Sequence, residues 1–217
     1  MSRLGMLLGV VGIVLTLAGF LGPWWTVGIS ATFGGQTATS TADFGLFGGT
    51  VRVTAPGVSQ TNTTDYSEDS NTRSVFLAGA ALSGLAILLG IVFVVTAMMA
   101  DKQPSMRRIA SLSGIFAFVL ALLGTLYVMA ALPGAVNADS GGGGLGLSQL
   151  SGFWGSDSTT FFGITATVTW SAGWAWYVVL IGAVVFLIGG IVVMQAAKAA
   201  PSAPSTMQAP PESRPMP

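Results

Sequence analysis

This chain has no cysteine and no histidine. Those absences exclude disulfide bridges, Cys- or His-based metal sites, imidazole bases and thiol nucleophiles. Anything that folds outside a membrane here must be held by hydrogen bonds and packing alone. Charge is scarce as well. Only 7% of residues are charged, 52% are hydrophobic, and the formal net charge is zero. That balance lies far from the usual composition of soluble domains.

What the chain has instead is four apolar stretches, Leu4–Leu21, Val75–Met99, Ile109–Leu132 and Trp174–Met194, with no Lys, Arg, Asp or Glu inside any of them. A helix needs about 20 apolar residues to cross a hydrocarbon core roughly 30 Å thick. The expected fold is a membrane all-α four-helix bundle with a small extracytoplasmic antiparallel β-sheet. In order, the chain reads as 1–22 N-terminus and helix one, 23–74 outer loop one, 75–100 helix two, and 101–108 a cytoplasmic link. Then come 109–132 helix three, 133–171 outer loop two with a strand at 159–170, 172–195 helix four, and 196–217 a disordered Pro-rich cytoplasmic tail.

Charge placement orients the spans. Arg3 precedes helix one, Lys102, Arg107 and Arg108 lie in the link, and Lys198 and Arg214 follow helix four. The long loops carry Arg52 and Arg73 against Asp43, Asp65, Glu68, Asp69, Asp139 and Asp157. Basic residues in short flanks stay on the cytoplasmic side. This predicts a multi-pass protein of the cell membrane with both termini cytoplasmic. All six Trp and all three Tyr fall on the predicted outer side. Of these, Trp24, Trp25, Trp174, Trp176 and Tyr177 are expected at headgroup level, where an apolar ring with one polar handle is at home. A cleaved signal peptide is the rival reading of helix one. Its apolar run is longer than an ordinary signal core, no A-x-A site follows, and Pro23-Trp24-Trp25 reads as a helix stop with an interfacial anchor.

Outer loop one alternates as a strand does. Val27, Ile29, Ala31 and Phe33 are spaced by two, and Gly34-Gly35 supplies a turn. Further strands are expected at Thr37–Thr41, Phe44–Phe47 and around Val51-Arg52-Val53, with Gly57–Ser74 as a mobile, acidic crown. Outer loop two opens with a flexible Gly141–Gly144 run. It then alternates Ile164, Ala166, Val168 and Trp170 against Thr165, Thr167 and Thr169. A lone strand is unstable, so this one should join the first loop's sheet. Within the helices, small residues recur at Gly5/Gly9, Ala80/Gly84, Ala86/Gly90, Ala117/Ala121 and Gly182/Gly189. They predict close helix packing within one bundle or between copies.

Reaction chemistry is harder to find. Asp65, Glu68 and Asp69 form the single carboxylate cluster, but their spacing fits no EF-hand loop, so they read as a solvated acidic crown. Asn62-Thr63-Thr64 is a glycosylation sequon on the outer side. Gly141–Gly144 lacks the Lys and the strand–helix context of a phosphate loop. Spans without ionisable groups argue against ion-coupled carriers and intramembrane enzymes.

Four spans, a β-forming first loop and a strand before helix four resemble the claudin and peripheral-myelin-protein superfamily. That family carries a Trp after helix one and then Gly-Leu-Trp before a Cys pair. Here Trp25 is followed at similar spacing by Gly45-Leu46-Phe47, and Thr50 stands where the first Cys would be. The resemblance implies a contact protein whose outer sheet is pinned on the bundle. Trp24, Trp25, Gly45, Leu46, Phe47, Trp170 and Trp174 are the expected anchor and interface residues, with Trp25 packed under Leu46 and Phe47. The reading is a non-enzymatic tetraspan acting through protein contacts of its outer sheet, in adhesion, barrier or membrane organisation. Its partners would be the bilayer, a second copy or another membrane protein, with no cofactor and no nucleic acid. An oligomeric small channel or permease subunit, and an accessory subunit of a larger complex, stay open as alternatives.

Overall fold

The computed structural model describes residues 2–100, 102–140, 150–161 and 164–198. Its elements run α1 (Ser2–Leu21), β1 (Pro23–Phe33), β2 (Gln36–Gly45), β3 (Gly49–Ala55), β4 (Val58–Thr64) and α2 (Asn71–Met99). After these come α3 (Pro104–Asp139), β5 (Gly155–Phe161), β6 (Ile164–Ala172) and α4 (Trp174–Lys198). All four helices are long and apolar enough to cross a membrane. They are apolar outside as well as inside: Leu7, Val14, Leu88, Met98, Leu112, Phe116 and Ile181 are all exposed. A helix that is hydrophobic all round belongs in a large core or in lipid.

The bundle closes as a square, with α1 packed on α2 and α4, and α3 packed on α2 and α4. Glycines let it close. A Cβ on Gly12 would lie 2.8 Å from the Phe186 ring, one on Gly90 2.6 Å from it, and one on Gly9 2.6 Å from Phe93. Both rings are fully buried. Of the small-residue pairs read from the sequence, Gly5, Gly9, Gly90, Gly182 and Gly189 all turn inward, whereas Gly84 has no neighbour within 4 Å. The buried hydroxyls of Thr16, Ser113 and Thr125 bond back into their own helices, Thr16 to the Gly12 carbonyl at 2.8 Å, whereas the Ser83 hydroxyl has no partner.

At one end of the bundle stands a six-stranded antiparallel sheet in the order β4-β3-β2-β1-β6-β5. Strands β1 and β6, neighbours in that order, continue directly from α1 and into α4. The β1–β2, β3–β4 and β5–β6 ends therefore all point away from the helices, and the β2–β3 turn points back toward them. Gly34, Gly35 and Gly57 form the first two tips with positive φ of 55°, 78° and 78°, a conformation that a Cβ would oppose.

Several expectations are corrected here. The stretch expected as a mobile crown holds β4, an edge strand exposed at every position. With both faces in water it shows no apolar alternation, and its Thr residues supply strand propensity instead. Phe44–Phe47 is no separate strand: Phe44 and Gly45 finish β2, and Leu46 and Phe47 lie in the turn after it. The strand expected at 159–170 is a hairpin whose first arm, β5, is too polar to announce itself, and residues 162 and 163 fall outside the described residues. Helix two begins at Asn71, where the Ser70 hydroxyl caps the Arg73 amide at 3.2 Å. Helix three does not stop at Leu132. It passes through Pro133 to Asp139, and its last turns bond to Leu150 through Asn137 and to the start of α2 through Asp139. Helix four runs on to Lys198, three residues into the expected 196–217 tail, and the Gly141–Gly144 run and residues 199–217 lie outside the described residues.

Candidate functional site

The sheet is seated on the bundle by tryptophans whose indole N–H groups each answer a backbone carbonyl. Pro23 follows α1 and has no N–H, so the Gly19 carbonyl lacks its ordinary helical donor. Trp24 Nε1 supplies that donor at 2.9 Å. Trp25 Nε1 donates to the Phe153 carbonyl at 3.0 Å, and Trp170 Nε1 to the Gly152 carbonyl at 2.9 Å. These two neighbouring strands thereby clamp the segment that leads into β5. Trp176 Nε1 reaches from α4 to the Thr125 carbonyl of α3 at 3.0 Å. An irregular register between Pro23 and Trp25 explains why two consecutive tryptophans are both buried. A regular strand would turn one of them outward.

Around them runs an aromatic column. Trp25 meets Phe44 with ring centroids 5.6 Å apart, Phe44 meets Tyr66 at 6.5 Å, and Tyr66 meets Phe76 of α2 at 5.4 Å. The Tyr66 hydroxyl donates to the Gly45 carbonyl at 2.7 Å, and burial pushes its ionisation far up, so it remains a donor. Where α4 begins beside the end of α1, the Gly173 amide donates to the Trp24 carbonyl at 2.9 Å. A Cβ on Gly173 would fall on the Pro23 carbonyl.

The far end of α3 forms a second tie. Asp139 accepts from the Asn71 amide at 2.9 Å, the Asn71 side chain at 2.8 Å and the Thr72 amide at 2.8 Å. It thus caps the N-terminus of α2, where unpaired amides and the helix dipole both favour an anion. Desolvation raises its pKa, but the bonds from Thr72 and Asn71 outweigh that and hold it at about 2. Nearby, the Asn137 side chain pairs with both backbone groups of Leu150, at 3.0 and 2.9 Å.

The structure brings Trp24, Trp25, Leu46 and Trp170 into one buried cluster, with Gly45 beside it at the end of β2. Trp24, Trp25 and Trp176 are interior residues, buried against protein. Phe47 and Trp174 do not join the cluster. Phe47 is 57% exposed with its ring on Phe20 at 5.2 Å, so Trp25 packs on Phe44 rather than beneath Phe47. Asn62 is exposed on the edge strand β4, opposite Val51. Asp65, Glu68 and Asp69 are exposed, and no group of three or more potential ligands converges on a metal position among the described residues. Sequence reasoning missed Tyr66, Phe153, Asn137 and Asp139 as ties. Each sits singly in a loop or helix end, where periodicity carries no signal.

Register then defines the sheet's two faces. Trp25, Val27, Ile29, Phe44, Val168 and Trp170 share the face toward the core. On the opposite face, one row across all six strands reads Ser59, Thr54, Thr39, Ser30, Thr167, Ser158. The row nearer the tips reads Thr37, Thr32, Thr165, Thr160. The two rows nearer the bundle continue in Ser and Thr, interrupted by Gly28, Arg52 and Asp43. Hydroxyls bond across strands, Thr32 with Thr37 at 3.1 Å and Thr160 with Thr165 at 3.2 Å, and Thr26 donates to Asp43 at 2.9 Å. No protein-family model matches this chain, and no curated protein resembles it in sequence. Its chemistry has to be read from this surface.

Proposed function

We propose that this chain is a claudin-like tetraspan of the cell membrane, with both termini cytoplasmic, that works through protein contacts of its outer sheet and carries out no reaction. The observation that supports this most is the hydroxyl face. Solvated protein surfaces are about 25–35% charged, yet among the register-aligned residues of this face only Asp43 and Arg52 carry charge. Depletion of charge is a property of interface centres. Threonine is stiff at χ1, so little rotamer freedom is lost when such a face is covered. The sheet also ends in two strands, β4 and β5, each paired on one side alone, and β4 contains neither charge nor Pro to discourage a further strand. The seat of buried tryptophans does in this chain what a disulfide would do in the family it resembles: it keeps the sheet in one pose.

Native mass spectrometry from nanodiscs tests the reading. The wild-type protein is expected as a discrete homo-oligomer or in fixed ratio with another membrane protein. Thr39→Arg combined with Ser158→Arg, both exposed and three strands apart, should dissociate it without lowering the melting temperature. A wild-type monomer without partners, or association untouched by the double substitution, would overturn the reading.

A further inference from the structure

We infer that the sheet domain stands on the lipid surface through two aromatic feet, Phe47 and Trp154, which enter the headgroup–acyl boundary beside α1 and α4. Phe47 belongs to the β2–β3 turn, the one turn of the sheet that points back toward the helices. Its neighbour Leu46 is buried, while its own ring is 57% exposed and lies edge-on to Phe20 at 5.2 Å. Phe20 is in the last turn of α1, next to Leu21, which is 75% exposed. Trp154 precedes β5 and is 46% exposed. Its ring meets Trp176 at 5.7 Å, and its Nε1 lies 3.4 Å from the Tyr177 hydroxyl. Tyr177 is in the first turn of α4.

Both feet therefore touch a helix within one turn of its sheet-side end, at the same level of the bundle. Each meets a helix whose neighbouring residues are exposed and apolar: Leu17 and Leu21 flank Phe20 on α1, and Trp174 and Ile181 lie three and four residues from Tyr177 on α4. That exposed apolar setting selects lipid as the occupant. Aromatic rings prefer this layer, and Trp154 presents the amphipathic edge that suits it. Trp24, Trp25 and Trp176 at this end are interior, whereas Phe47, Trp154 and Trp174 present exposed rings.

The inference rests on the spanning part of the proposed function and is independent of self-association. The absence of cysteine makes the test clean. Single-cysteine variants Phe47→Cys, Trp154→Cys, Phe33→Cys and Val14→Cys carry a nitroxide in nanodiscs of phosphatidylcholine and phosphatidylglycerol, one copy per disc. Phe33, 65% exposed at a sheet tip, reports water, and Val14, exposed midway along α1, reports the spanning reading itself. Collisions with a water-soluble nickel chelate should be several-fold rarer at 47 and 154 than at 33, and collisions with oxygen more frequent. Nickel access at 47 equal to that at 33, while Val14 remains in lipid, overturns the inference and leaves the spanning reading standing. A water-exposed Val14 overturns both. Shielding at 47 that appears only with two copies per disc assigns the feet to protein instead and also overturns it. Should Trp154→Cys fail to fold, Phe47→Cys decides alone, since its described ring contact is with Phe20 only.

Discussion

A tryptophan indole is a large apolar body with a single donor, and four of them here spend that donor on a named carbonyl. Trp24→Phe keeps a ring but removes the bond to the Gly19 carbonyl and leaves part of a fully buried indole site empty. Leaving a buried carbonyl unsatisfied costs about 1–3 kcal/mol. A lower melting temperature in nanodiscs is expected, with no change for Trp174→Phe, whose ring is exposed. Trp25→Ala removes both the Phe44 ring contact and the clamp on Phe153. Proteolysis of the sheet should speed up in that variant while the helices remain inserted. That tryptophans gather at one end of the molecule was legible in the sequence. Which of them turn inward was not, because burial of both Trp24 and Trp25 depends on a register irregularity that no local pattern encodes.

Among the elements, helices were the easiest to read, since length and absence of charge suffice for a span. β1 was legible too, because Val27 and Ile29 on one face pack against the core and alternate with the polar or small residues of the other. β4 and β5 were not, being polar on both faces, and α3 outran its apolar stretch through contacts made beyond Pro133. Those last turns matter for pH dependence. The Asp139 pKa is held at about 2 against an ordinary 3.8, so its cap on α2 contributes stability that is complete above about pH 4. That contribution fades as pH falls through the folded value near 2. Asp139→Asn should lower the melting temperature at pH 7 and flatten its fall between pH 4 and 2, which a pH series of thermal melts checks. Packing between helices offers a matched pair of tests. Gly90→Ala drives a Cβ to 2.6 Å from Phe186, an overpacking cost of about 1–3 kcal/mol. Gly84→Ala meets nothing and should stabilise by about 0.5–1 kcal/mol through helix propensity.

Taken whole, the molecule is a bundle with a plate fixed to one end by chain continuity at α1 and α4 and by the aromatic column to α2, while Asp139 ties α3 to α2 beneath it. The plate cannot swing freely, so whatever binds its hydroxyl face binds at a set angle to the spans. One consequence follows from the way the chain enters and leaves the sheet only at its base. Among the described residues the far rim carries the β1–β2 and β3–β4 turns, and at Gly34-Gly35 an added side chain would meet no atom within 4 Å. A short epitope spliced between these two glycines should be carried without loss of fold. On intact cells it would act as an address label: antibody staining without permeabilisation would read out, from a single insertion, which side of the membrane the plate occupies.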